Sequence, residues 1–300
     1  RLNYISVKGG LLMTTDFVIL TDSGSDLTPE MAAELQVQVM PLMYTLDDGE
    51  PMPGDAADIK DFYKQLREGK SAKTSAANYE DLLKTLEDIV SKDKDVLYVA
   101  FSSGLSSTVS TAMLVAGELA EKYPKRKIYV ADSLAASLGH GLLVYLAAKQ
   151  RAAGASIDAV RDFVEENKLH LCHWFTVDDL HHLKRGGRVS AATAAIGTML
   201  SIKPVLHVDD AGHLINVSKA RGRKASLAAL VERMEQTAID PAGQTVFISH
   251  GDALEDAQAV AQMVRDKMGV QDIHIGYIGP VIGAHSGPGT IALFFLGTQR

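Results

Sequence analysis

Short apolar runs alternate along the chain with polar turns and amphipathic stretches. Phe17-Val18-Ile19-Leu20, Val96-Leu97-Tyr98-Val99-Ala100-Phe101 and Ile128-Tyr129-Val130-Ala131 have the β-branched and aromatic composition of buried parallel strands. Between them apolar positions recur at helical spacing. Ile59, Phe62, Tyr63 and Leu66 share one face of a helix over 58–69, and another helix spans Tyr79 to Val90. Val109, Ala112, Met113, Ala116 and Leu119 mark a helix from Thr108 onward, and Thr28-Pro29 reads as N-cap and first turn of an earlier one. Val37 to Tyr44 reads as one strand ending at the Asp47-Asp48-Gly49 turn. Ala135 to Ala153 is almost wholly apolar, with His140 near its start, and predicts a helix buried between layers. Ser156 caps the next helix, Ile157 to Asn167.

The second half opens with a strand over His170–Val177 and a helix carrying Asp178-Asp179-Leu180. The double glycine in Leu183-Lys184-Arg185-Gly186-Gly187-Arg188 stops that helix, and small residues over 191–200 start another. Pro204–Val208 and His213–Val217 flank Asp209-Asp210-Ala211-Gly212 as an antiparallel hairpin. A basic run over 219–224 leads into a helix over 225–237, then strand 245–252, helix 254–267, strand 273–278, a glycine-rich loop over 279–290 and a last strand over 291–297. The pattern is that of two α/β domains: a mostly parallel sheet flanked by helices over 13–160 and a mixed sheet with helices over 161–300. Residues 1–12 are weakly patterned, lack the features of a signal peptide and read as an N-terminal extension.

Several strands run into small hydroxyl residues ahead of a helix: Asp22-Ser23, Lys73-Thr74-Ser75 (a loop on this reading) and Ser102-Ser103-Gly104-Leu105-Ser106-Ser107. Free N–H groups and the helix dipole make such a junction a place for a carboxylate or phosphate, and equally a simple helix cap. Parallel sheets gather these loops along one edge, which favours one shared anion site. His285 lies among glycines and prolines that let backbone approach closely, and is the histidine best placed for function.

Composition narrows the classes. A net charge of −7 argues against general affinity for nucleic acid or anionic membrane. The single cysteine, Cys172, excludes an intramolecular disulfide and fits the cytoplasm, and no apolar run reaches the roughly 20 residues of a membrane span. His170, Cys172, His173, His181 and His182 match no metal-site spacing, so no metal is expected. The absence of a Gly-X-X-X-X-Gly-Lys-Ser/Thr loop argues against intrinsic ATP hydrolysis, and no cofactor is expected.

In order, Asp22-Ser23, Lys73-Thr74-Ser75, Ser102 to Ser106, Asp132-Ser133, Leu183 to Arg188, Lys203-Pro204-Val205-Leu206 and Gly283-Ala284-His285-Ser286-Gly287-Pro288-Gly289 resemble the DegV family from about Asp16 to Leu296. The resemblance implies a bacterial cytoplasmic protein that holds a long-chain fatty acid between and within its two domains. It further implies similarity to the B subunit of fatty-acid kinase, which presents the carboxylate to a separate ATP-using kinase subunit and is no enzyme alone. Carried over by motif, Thr74, Ser102 or Ser103, and His285 would bind the carboxylate, and Arg185, Arg188, Arg221 and Arg223 would meet the kinase or the phosphoryl group. The chain departs from the family pattern at Ala76-Ala77, where Gln-Pro is common, and at Ser107, where Gly is common. Two other classes stay open: a serine hydrolase using Ser102 or Ser103 with His285 and Asp132, and a phosphocarrier with His285 as acceptor.

Overall fold

The helix Ser137–Ala152, apolar on nearly every side, lies buried between two sheets as its sequence demands. The structure is a computed structural model that describes residues 17–55, 57–189 and 201–300. The expected N-terminal extension and the small-residue helix over 191–200 lie outside the described residues. On one side of the central helix, β1 (Phe17–Asp22), β2 (Val37–Met40), β6 (Asp95–Ala100) and β7 (Ile128–Asp132) form a parallel sheet in the order β2-β1-β6-β7. Successive side chains point to opposite faces. Leu97 and Val99 therefore meet the central helix, while Val96, Tyr98 and Ala100 pack on helices Tyr79–Val90 and Thr108–Lys122.

On the other side, β8 (Leu171–Thr176), β9 (Ile202–Val208), β10 (Leu214–Arg221), β11 (Val246–His250), β12 (Ile273–Tyr277) and β13 (Ile291–Leu296) form a mixed sheet in the order β10-β9-β8-β13-β11-β12. Its pairs are antiparallel except β11 with β12. Leu171, Phe175 and Phe294 join the core of the central helix. Cys172, Trp174, Leu293 and Phe295 face helices Arg223–Thr237 and Leu254–Met268. Full burial contributes roughly 1.5–3 kcal/mol per large apolar side chain. One cluster running from Phe17 to Leu296 therefore ties both sheets to the same helix.

Four sequence expectations are corrected. Val37 to Tyr44 is two strands, because Pro41 has no N–H for the ladder and the chain leaves the parallel sheet after Met40. The second piece, β3 (Met43–Leu46), pairs antiparallel with β4 (Met52–Pro53) and β5 (Ala72–Ser75) in a small third sheet. Thr74 is thus on a strand rather than a loop, opposite Tyr44. The second hairpin strand does not end at Val217: past a register shift between Asn216 and Ser218, edge strand β10 runs on through Lys219 to Arg221. The stretch over 279–290 contains a helix, Pro280–Ser286. Gly279 as N-cap, Pro280 at the first position and Gly287 at φ 78° are helix punctuation, which overrides the loop reading of glycine and proline density.

Candidate functional site

A cavity of about 810 Å³, counting its open mouth, lies where the three sheets meet. Most of its wall is apolar, with Phe101, Phe175, Val208, Val281 and Phe294 among the side chains that face it. One end is polar. There β5 supplies Thr74 and Ser75, the turn after β6 supplies Ser106, and the helix Pro280–Ser286 supplies His285.

Thr74 Oγ1 and His285 Nε2 are 2.8 Å apart. His285 Nδ1 has no partner, and which of Nε2 and Oγ1 donates follows the tautomer of the ring. With the proton on Nε2, the Thr74 hydroxyl is left to donate to a ligand. Ser106 Oγ accepts from the Thr108 N–H at 3.2 Å and lies 2.9 Å from Thr108 Oγ1. Thr108 Oγ1 in turn accepts from Ala77 N at 3.1 Å, tying the segment after β5 to the start of the helix Thr108–Lys122. Ser107, at φ −77°, is the N-cap of that helix but makes no side-chain cap bond; Ser106 Oγ takes the first N–H instead, and the N-terminal end of the helix adds a positive field behind it.

The glycine pair before Arg188 places the imidazole. A Cβ on Gly186 would stand 2.1 Å from His285 Nδ1, so only glycine lets the ring lie against this turn. Arg188 faces the cavity, donates from Nε to Leu105 O at 3.3 Å and bonds Gly186 O. Burial first, then the positive charges of Arg188 and Arg185, pushes the His285 pKa down to about 4, so the ring is neutral near pH 7. Gly186→Ala is expected to displace the imidazole and break its bond to Thr74 with little change in the rest of the fold. Ligand affinity should drop about 10-fold, the worth of one or two hydrogen bonds; unchanged affinity in the variant would show that this contact does not set the ring.

Not every expected residue reaches the cavity. Ser102 is buried, donates from Oγ to Gly212 O at 3.0 Å and accepts from Gly104 N at 3.1 Å, which fastens the turn to the β9–β10 hairpin. Ser103 is exposed, and its N–H donates to Asp132 Oδ1, which also accepts from Leu134 N. The wall carries Ser106 where the sequence reading pointed to Ser102 or Ser103. Nor does the first strand end contribute. Asp22 accepts from Gly24 N, Tyr98 Oη and Phe101 N, and Ser23 Oγ accepts from Leu42 N. His285 bonds Thr74, Ser102 Oγ bonds Gly212 O, and Asp132 meets Ser103 only through the serine's backbone N–H, so no hydrolase triad is assembled.

Of the four expected arginines, Arg185, Arg188, Arg221 and Arg223, Arg188 alone faces the cavity. Arg185 is exposed and sits 3.0 Å from His182 Nδ1, and Arg221 is exposed on the edge strand. Arg223 is a brace: it donates to Asp256 at 2.8 Å and to Gly289 O, and lies 3.4 Å from Asp178. No three metal-ligating side chains come together among the described residues, and no helix among them is long and apolar enough to cross a membrane.

The sequence model of the DegV family matches residues 16–298. The chain belongs to the DegV family. A DegV domain-containing protein of Clostridium perfringens is 48% identical over 286 residues, which is 95% of this chain and 98% of the relative. Among solved structures, a Thermotoga maritima protein described as revealing a fatty acid binding function is 30% identical, with a TM-score of 0.80 over 93% of this chain and 98% of its own. DegV of Bacillus subtilis, described as a fatty acid binding protein, is 26% identical, with a TM-score of 0.80 over 95% of this chain and 100% of its own. Within this DegV chain the departure at Ala77 has a structural consequence: its N–H makes the bond to Thr108, which a proline there would lack.

Proposed function

We propose that the cavity holds a long-chain fatty acid, with the carboxylate at Thr74, Ser106 and His285 and the chain along the apolar wall. The observation that carries this reading is the Thr74–His285 pair at the polar end of an otherwise apolar cavity. The solved Thermotoga and Bacillus relatives described as fatty-acid binders support it. Each buried methylene contributes about 0.8 kcal/mol, so a dozen supply roughly 10 kcal/mol before the cost of ordering the chain. A buried carboxylate needs hydrogen bonds or it takes up a proton. The Thr74 hydroxyl beside a neutral histidine and the Ser106 hydroxyl held by Thr108, with Arg188 on the same wall, meet that need without a bidentate salt bridge.

The same arrangement suits a substrate-presenting subunit in the cytoplasm of a bacterium. A carboxylate oxygen held by hydroxyls keeps a lone pair for attack on the γ-phosphorus of ATP bound to a separate kinase subunit. The new C–O–P linkage forms as ADP leaves, giving an acyl-phosphate. Arg185 and Arg221, exposed, and Arg188 at the cavity supply positive charge for that partner. Arg223 takes part only through its brace on Gly289 and Asp178. The protein alone performs no chemistry in this scheme.

Protein expressed in bacteria and purified mildly should carry long-chain fatty acid in near-equimolar amount. Organic extraction with mass spectrometry tests this, and an extract free of acyl species sinks the reading. Adding a bacterial fatty-acid kinase subunit and ATP tests presentation: acyl-phosphate should appear only when both proteins are present.

A further inference from the structure

Away from His285, the cavity is closed by two rings. On its β13 side the wall runs from Thr290, just before the strand, through Ala292 to Phe294, and on its β8 side from Phe175 to His173. Phe175 pairs with Ala292, and His173 with Phe294. The next pair on the same face, Leu171 with Leu296, does not line the cavity and packs in the core around the central helix. Thr290 bonds Ser286 O, next to His285, and so marks the polar end. From Thr290 to Phe294 is roughly 14 Å along an extended strand. The cavity follows these two strands and stops at the His173–Phe294 pair.

The stop is firm. The two rings meet edge to face with centroids 5.4 Å apart. The backbone of Gly139 in the central helix lies directly behind them, since a Cβ there would stand 2.4 Å from His173 Nε2 and 2.7 Å from Phe294 Cδ1. The stop is also dry. His173 Nδ1 lies 3.2 Å from Leu171 O, and Gly139 covers the Nε2 edge. Ser137, on the same wall, has its hydroxyl engaged with Asp26 and Ser249. Neither side chain offers a polar atom to a ligand. Ahead of the stop, Ala292 projects only a methyl, which leaves the shaft open beside Phe175. A methylene that finds apolar wall improves binding about 4-fold in Kd. One pressed beyond the rings finds none, and a polar chain end there is buried without a partner.

We infer that His173 and Phe294 set the length of the acyl chain the cavity accepts, its terminal methyl resting on their rings, and that Ala292 keeps the way to them open. The inference rests on the fatty-acid reading above. It assigns these three side chains to ligand preference, separately from the carboxylate site.

The test is displacement of a fluorescent fatty-acid probe from delipidated protein by laurate, myristate, palmitate, stearate, arachidate and hexadecanedioate. For the parent, Kd should fall about 4-fold per added methylene up to one length in the saturated series and fall no further beyond it. Hexadecanedioate should bind at least about 100-fold more weakly than palmitate, because its second carboxylate ends on the rings. His173→Ala opens the floor and should move the limiting length up by one member of the series or more. Ala292→Ile, a β-branched residue that suits a strand, fills the shaft and should move it down. Each variant reads the inference by itself, so loss of folding in one leaves the other to decide. Affinity that climbs through arachidate in the parent overturns the inference, as does a limiting length unchanged in a folded variant, or a dicarboxylate bound as tightly as palmitate. If no acid displaces the probe from the parent, the fatty-acid reading itself falls.

Discussion

His285→Ala should keep the acyl chain bound and lose the reaction at its carboxylate. The variant removes the group that directs the Thr74 hydroxyl, at a distance of 2.8 Å, while the apolar wall stays intact. Losing a hydrogen bond to a charged group costs roughly 1.5–3 kcal/mol, or about 10- to 100-fold in Kd. The much larger apolar contribution remains, so the protein should still copurify with fatty acid. Acyl-phosphate formation should fall by more than about 100-fold at saturating fatty acid, because misplacing a reacting atom by an ångström is enough for such a loss. Arg221→Ala gives the opposite profile. Its side chain is exposed on the edge strand, so occupancy should be unchanged, while encounter with the kinase slows and loses part of its salt dependence. Both quantities must be measured on the same preparations. Parent-like binding and turnover in His285→Ala would move the carboxylate to another part of the cavity. Loss of an ester-hydrolysing activity of this chain alone would favour the serine hydrolase.

Much of this site is legible in the sequence, and the reasons differ by residue. His285 stood out because glycines crowd it, and the structure gives their purpose from the other side: Gly186, in a different motif, makes room for the ring. The double glycine between basic residues looked like a helix stop with solvated charges, and nothing local distinguishes such a turn from one that holds a histidine. The sequence points to Ser102 and Ser103, which follow the strand directly, rather than to Ser106. Both serines next to the strand end are held by structural hydrogen bonds, Ser102 Oγ donating to Gly212 O and the Ser103 N–H to Asp132. Ser106, one residue before the N-cap Ser107 of the next helix, is the serine left at the cavity. Thr74 was assigned to a loop because β5 is only Ala72–Ser75, too short to show alternation. The parallel sheet and the central helix were the plainest features, since a strand buried on both faces and a helix without a polar side have few other places to go.

Lowering the pH should destabilise the chain through its buried histidines, and Asp26→Asn should make that loss steeper. Burial pushes His207 and His285 down to about 4 and His173 well below its ordinary value. Between the ordinary value near 6.5 and about 4, the unfolded chain binds protons that the native state refuses. Stability therefore falls as pH drops through that window, by up to about 3 kcal/mol each for His207 and His285, with His173 acting in the same direction. Losses of that size approach the roughly 5–15 kcal/mol that holds most domains together. Asp26 acts in the other direction. Its carboxyl accepts from Ser137 Oγ at 2.6 Å and from Gly279 N at 3.0 Å, but burial dominates and raises its pKa to about 7. From pH 7 down to about 4 the native state holds a proton there that the unfolded chain does not, so acidification relieves a strain worth up to about 4 kcal/mol. Asparagine keeps an acceptor for Gly279, tolerates the φ of 53° at this position and cannot ionise. At pH 8 the variant should be more stable than the parent by as much as that relief, with the advantage gone by about pH 4. Urea denaturation midpoints at pH 8, 6 and 4.5 on both proteins read this directly. Equal stability at pH 8 would mean that Asp26 is ionised at little cost, and an advantage persisting at pH 4 would mean that asparagine acts through packing instead of charge.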